Sequence, residues 1–102
     1  MDRIAMLQEV LAQNPKDTFA RYGLAMEYVN RGDTSTALSE FTTLLEANPD
    51  YAPGYQMAAQ TLMKAGRVEE ARKMLQDGIA CAIRIRNQHA RSEMEAMLDE
   101  LR

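Results

Sequence analysis

The side chains able to do chemistry are few and scattered. The only histidine, His89, has no cysteine or carboxylate around it at metal-ligand spacing, so it reads as a surface or capping residue. The only cysteine, Cys81, stands among Ile79, Ala82 and Ile83, surroundings that suit packing better than reaction. Glu69 and Glu70 are neighbours in the first turn of a helix. There they favour the positive end of its dipole rather than facing each other as an acid/base pair would. Arg84, Arg86 and Arg91 gather where a helix should end, which suits the negative end of the dipole and would also make a small phosphate-binding patch. No Gly-rich phosphate loop, nucleophile motif or metal motif is present. What remains is softer chemistry. Eight methionines offer unbranched, polarisable side chains for adaptable apolar contact.

The elements that carry these residues are bounded by composition. In 102 residues there is one domain's worth of chain and a modest core. Apolar residues make up 46% and charged ones 26%, with five glycines and three prolines, a mixture that favours helices joined by short turns. A net charge of -3 opposes nucleic-acid binding, which calls for a basic excess. One cysteine cannot close an intramolecular disulfide, no apolar run approaches a membrane span, and the first residues lack the apolar core of a signal peptide. A cytoplasmic location, with neither membrane nor nucleic acid as partner, is the expectation.

Hydrophobic spacing predicts six helices. Ile4, Leu7, Val10 and Leu11 form a stripe over residues 3–14 that Pro15 stops. Asp17 can cap a second helix over 18–30, whose Phe19, Tyr22, Leu24, Ala25, Tyr28 and Val29 point to neighbours on two faces. Gly23 within it would permit a close crossing or leave room for a ligand. Gly32 and Asp33 separate it from a third helix over 34–47, buried through Ala37, Leu38, Phe41, Leu44 and Leu45 and closed by Pro49. Pro53 opens a fourth over 52–64. After Gly66 a fifth runs from Val68 to about Arg86, with Ala71, Leu75, Ile79 and Ala82 or Ile83 inward and the break at Asn87-Gln88. The sixth, over 89–101, aligns Ala90, Met94, Met97, Leu98 and Leu101.

The chain also repeats itself. Leu24, Ala25, Tyr28, Gly32, Ala37, Phe41 and Pro49 return 34 positions later as Ala58, Ala59, Leu62, Gly66, Ala71, Leu75 and Ile83, and Pro15 precedes Pro49 by the same interval. This register resembles the tetratricopeptide repeat family, whose two-helix unit reads W-x2-L-G-x2-Y, A-x3-F and P over 34 residues. The resemblance implies an all-α fold, a right-handed α-α superhelix of about six antiparallel helices forming a single domain over 1–102. Residues 3–15 would be the second helix of a preceding unit, 18–51 and 52–85 two full repeats, and 89–101 a terminal cap. The chain departs from the family at Arg21, where an aromatic is usual, and at Ala58, Leu62 and Ile83. Alanine at 25, 37, 59 and 71 is expected where helices approach closely.

In this family the first helix of each unit lines a concave groove that takes a peptide or a partner's helix. Carried onto this chain, the groove comprises Phe19, Tyr22, Met26, Val29 and Asn30 in the first unit and Gln56, Met57, Gln60, Met63 and Lys64 in the second. Its methionine and aromatic content suits an apolar guest. Some members clamp an acidic chaperone tail with lysine, asparagine and arginine; Tyr22, Met26 and Met57 stand at those positions here, so no affinity for such tails is expected. The implied function is non-catalytic protein binding without a cofactor. The alternative is self-association, a weak homodimer made through Met6 or Val10 of the first helix.

Overall fold

The computed structural model describes residues 2–101 and contains six helices joined by tight turns. Contacts divide them into two compact units, residues 2–48 and 49–101.

The first unit holds α1 (Arg3–Gln13), α2 (Thr18–Asn30) and α3 (Thr34–Ala47). Each begins on an aspartate. The carboxylates of Asp2, Asp17 and Asp33 accept from the N–H groups of Ala5, Ala20 and Thr36 at 2.8, 2.9 and 3.2 Å, satisfying donors that the helix itself leaves unpaired. Between α1 and α2, Leu11, Ala20 and Leu24 are buried with Ile4, Leu7 and Tyr28 packed around them. Ala25, Ala37 and Phe41 have no exposed surface. Arg21, which replaces the family's usual aromatic residue, pairs with Glu40 of α3 at 2.7 Å and donates to the Pro15 carbonyl at 3.0 Å.

The second unit holds α4 (Ala52–Lys64), α5 (Val68–Arg84) and α6 (Gln88–Glu100). Its core is Ala58, Ala59, Leu62, Ala71, Leu75, Cys81, Ala82, Ala90 and Met94, all buried. Tyr55 lies 34 positions after Arg21 and does the same work with different chemistry. Its hydroxyl donates to the carbonyl of Pro49, 34 positions after Pro15, at 2.7 Å. An arginine in one unit and a tyrosine in the next thus tie down the same turn, which explains how the departure at Arg21 is tolerated.

Gly78 is where the second unit is tightest. A Cβ added there would lie 2.5 Å from the Met94 sulfur and 2.7 Å from the Tyr55 Cβ, so α4, α5 and α6 converge on the missing side chain. Gly23 is looser than its position suggested. A Cβ there would meet Leu7 at 3.5 Å, an ordinary contact, so the α1–α2 crossing does not depend on glycine.

The ends of α2, α4 and α5 share one device. Gly32 and Gly66 have φ of 77° and 75°. After each, the next N–H reaches back to a carbonyl five residues earlier, Asp33 to Tyr28 and Arg67 to Leu62, both at 2.9 Å. The same bond from Asn87 to Ala82, at 2.8 Å, ends α5, but the residue in the left-handed region there is Arg86, with φ of 60°. Helix α5 therefore stops at Arg84, two residues short of the expected boundary, because a left-handed turn was encoded without glycine. Asn87, read as part of the break, caps α6 by accepting from the Ala90 N–H at 3.0 Å, so α6 starts at Gln88. Of the pair Ala82 and Ile83, Ala82 packs inward and Ile83 is half exposed.

Candidate binding faces and family

On α2 the five expected residues share one strip. At 100° per residue, Phe19, Tyr22, Met26, Val29 and Asn30 fall within about 100° of arc, opposite the buried Leu24, with the buried Ala25 next to Val29 at the edge of the strip. Phe19 is 81% exposed, the most exposed large apolar side chain among the described residues. Tyr22 is half-buried, with its ring edge-on to Phe41 at 6.3 Å and 63°. That contact fixes the ring against the core and leaves part of it at the surface. Met26 and Val29 are half-buried and Asn30 exposed. At the edge of the strip Glu27 is held by Arg3 of α1 at 2.9 Å.

On α4 the corresponding strip is Gln56, Met57, Gln60, Met63 and Lys64, opposite Ala58 and Leu62, with Ala59 next to Met63 at its edge. Met57, Met63 and Gln56 are half-buried; Gln60 and Lys64 are exposed. Lys64 is the single formal charge among the ten residues. Such faces offer apolar contact area and amide hydrogen bonds.

The reactive side chains are occupied in packing and surface pairs. Cys81 has no exposed surface, and burial pushes its thiol above the ordinary range despite the nearby Arg84 guanidinium. Burial likewise raises the Tyr55 phenol, with Cys81 adding to the effect. Arg84 donates to Asp50 at 2.8 Å and to the Pro49 carbonyl at 2.9 Å, and Arg91 pairs with Glu95 at 3.3 Å, so two of the three clustered arginines already have anionic partners. His89 sits 3.1 Å from Glu93 on the exposed side of α6. Arg67 and Glu70 form a two-pronged pair at the start of α5; the guanidinium bonds hold the Glu70 carboxyl below the usual range. Among the described residues no three histidine, cysteine or acidic side chains cluster as metal ligands would, and no helix is long and apolar enough to cross a membrane.

A tetratricopeptide repeat family model matches residues 28–82, more than half of the chain. The chain belongs to the tetratricopeptide repeat family. A TPR repeat-containing protein of Pseudomonas aeruginosa is 27% identical over 95 residues, 93% of this chain and 90% of the relative. A tetratricopeptide repeat domain protein of Salinibacter ruber, solved in solution, superposes with a TM-score of 0.81 at 30% identity, covering 86% of this chain and 89% of that one. PcrH, crystallised with the chaperone binding region of PopD, superposes with a TM-score of 0.88 over 96% of this chain and 74% of its own, at 16% identity, a likeness of fold. The family is generally a non-catalytic protein-interaction fold.

Sequence reading did not single out Gly78 or a hollow beside Ile79 and Leu98, between α5 and α6. Gly78 carried a signal, a glycine in the middle of an otherwise strong helix, where it costs about 1 kcal/mol relative to alanine.

Proposed function

We propose that this protein is a non-catalytic, cytoplasmic interaction module that holds a peptide or helix of a partner protein on the outward faces of α2 and α4. Phe19, Tyr22, Met26, Val29 and Asn30 serve in the first unit, and Gln56, Met57, Gln60, Met63 and Lys64 in the second. The observation that carries this reading is Phe19, a phenylalanine four-fifths exposed beside half-buried methionine, valine and tyrosine. Leaving such a group in water forgoes roughly 1.5–3 kcal/mol of burial, which a partner would recover. PcrH gives a precedent for a protein of this fold holding a partner's segment. The guest is mainly apolar, because one lysine is the only charge offered to it.

Affinity capture with the wild type and with a Met26→Glu/Met63→Glu variant, both shown to fold by circular dichroism, tests the proposal. A prey retained by the wild type and lost by the variant supports it, and equal capture by both rejects it.

A second reading, homodimerisation through α1, has its own observation. Met6 and Val10 are 53% and 44% exposed, and with Leu7, Glu9, Gln13 and Asn14 they line an open hollow of about 510 Å³. A solution mass that rises with concentration, and falls back in Val10→Lys, would select this reading.

A further inference from the structure

A hollow of about 560 Å³ lies within the second unit, lined by Gln76 and Ile79 of α5 and by Glu95, Leu98 and Asp99 of α6. Its place in the repeat tells what it is shaped for. Helix α6 reproduces α4 with a shift of 36 positions. The capping residues Tyr51 and Asn87 correspond, as do the buried pairs Gly54 and Ala90, and Ala58 and Met94. Leu62 then corresponds to Leu98, Tyr55 to Arg91 and Ala59 to Glu95. In α4, Tyr55 belongs to the flank that receives α5, since a Cβ at Gly78 would touch it. On α6 the same flank is open to solvent, with Leu98 and the neighbouring Ile79 as its apolar floor.

The first unit supplies the register of a helix seated on such a flank. Arg21 pairs with Glu40 and Tyr22 packs on Phe41, an antiparallel register that brings Ala25 opposite Ala37. Both alanines are fully buried. Glu95 takes the place of Ala25 and Ala59 in this scheme. A helix seated on α6 therefore meets a carboxylate where α3 meets a methyl group, and Asp99 stands one turn further on. Covering a carboxylate with apolar surface is costly unless a cation is brought to it. The pair that Glu95 makes with Arg91 at 3.3 Å is half exposed and weak enough to rearrange.

We infer that this hollow is the seat of an amphipathic helix supplied by a partner protein. Aliphatic side chains of that helix cover Ile79 and Leu98, and a lysine or arginine lies over Glu95. The site is separate from the faces on α2 and α4 and stands whether or not they bind a guest.

The chain's own α3 provides a probe. Its sequence from Thr34 to Ala47 is made as a peptide crosslinked through positions 39 and 43, both exposed in α3, because free helices of this length are marginal in water. Three versions are prepared, with Ala37 kept, replaced by lysine, or replaced by glutamate. Glu40 of the peptide would face Arg91 as it faces Arg21 in the chain. Each peptide is titrated into the full chain and followed by amide chemical shifts. The lysine peptide is expected to bind about tenfold more tightly than the glutamate peptide, with shifts at Gln76, Ile79 and Leu98, and the order should invert in a Glu95→Lys variant. A Glu95→Gln variant, which preserves shape, should abolish the discrimination. Equal affinity for the lysine and glutamate peptides, shifts confined to α1, α2 or α4, or no binding at millimolar peptide would overturn the inference.

Discussion

Replacing Gly78 with alanine sets two effects of known size against each other. Alanine in mid-helix is favoured over glycine by about 1 kcal/mol, so α5 taken alone would gain. The added methyl group would lie 2.5 Å from the Met94 sulfur and 2.7 Å from the Tyr55 Cβ. The sulfur sits on a flexible side chain, but Met94 has no exposed surface into which it can swing. The Tyr55 Cβ is one bond from the α4 backbone, so the helices themselves must part by about 0.7 Å before that contact becomes ordinary. Overpacking costs about 1–3 kcal/mol. Because two helices must move here, the upper part of that range, about 2–3 kcal/mol, applies. Less the propensity gain, it leaves a net loss of about 1–2 kcal/mol. For a chain of this size that lowers the melting temperature by roughly 5–10 °C. Gly23→Ala is the matched control. Its methyl group would meet Leu7 at 3.5 Å, so the gain of up to about 1 kcal/mol survives and the melting temperature rises by a few degrees. Both variants are followed by thermal and urea unfolding in far-ultraviolet circular dichroism. A Gly78→Ala protein as stable as wild type, or two variants shifting in the same direction, would refute the three-helix convergence on Gly78.

Three further outcomes follow from the same geometry. Arg86→Gly should stabilise the chain by about 1 kcal/mol, since a left-handed residue other than glycine costs about 1–2 kcal/mol, and unfolding in urea would register it as a higher midpoint. Burial raises the Cys81 thiol and the Tyr55 phenol, so the native state holds protons that the unfolded chain releases in alkali. Stability should therefore stay level through neutral pH and fall above about pH 9, and native Cys81 should react with a thiol reagent far more slowly than the unfolded chain does. Removal of residues 88–102 takes away Ala90, Met94 and the Arg72 bond to the Leu101 carbonyl at 3.0 Å, uncovering Gly78 and Ile79; a truncated chain that stayed monomeric and equally stable on gel filtration and heating would contradict the capping role of α6.

Most of the fold was legible because its signals are local and repeated. The bounds of α2, α3 and α4 follow from Asp17, Gly32, Asp33, Pro49 and Gly66, residues whose backbone or capping chemistry leaves few alternatives. The end of α5 was misplaced where that chemistry was missing, with Arg86 taking a conformation that glycine takes at the other two turns. Spacing alone left Ala82 and Ile83 undecided, because they are adjacent on the helix and either one fits the stripe. The candidate strips on α2 and α4 come from the family resemblance, since periodicity separates inward from outward positions but does not say which outward face binds. Two features were not legible. The demand at Gly78 is set by Tyr55 and Met94, 23 residues before it and 16 after, and the seat beside Glu95 emerges only when α6 is laid over α4 with two extra positions in the register.

The most direct test of the binding faces is to titrate the segment of the captured partner into isotope-labelled protein and follow the backbone amides. Perturbations should concentrate at Phe19, Tyr22, Met26 and Val29 on α2 and at Met57, Gln60 and Met63 on α4, with α3 little affected. Perturbations confined to α3, α5 or the turns between helices would contradict the assignment of these faces.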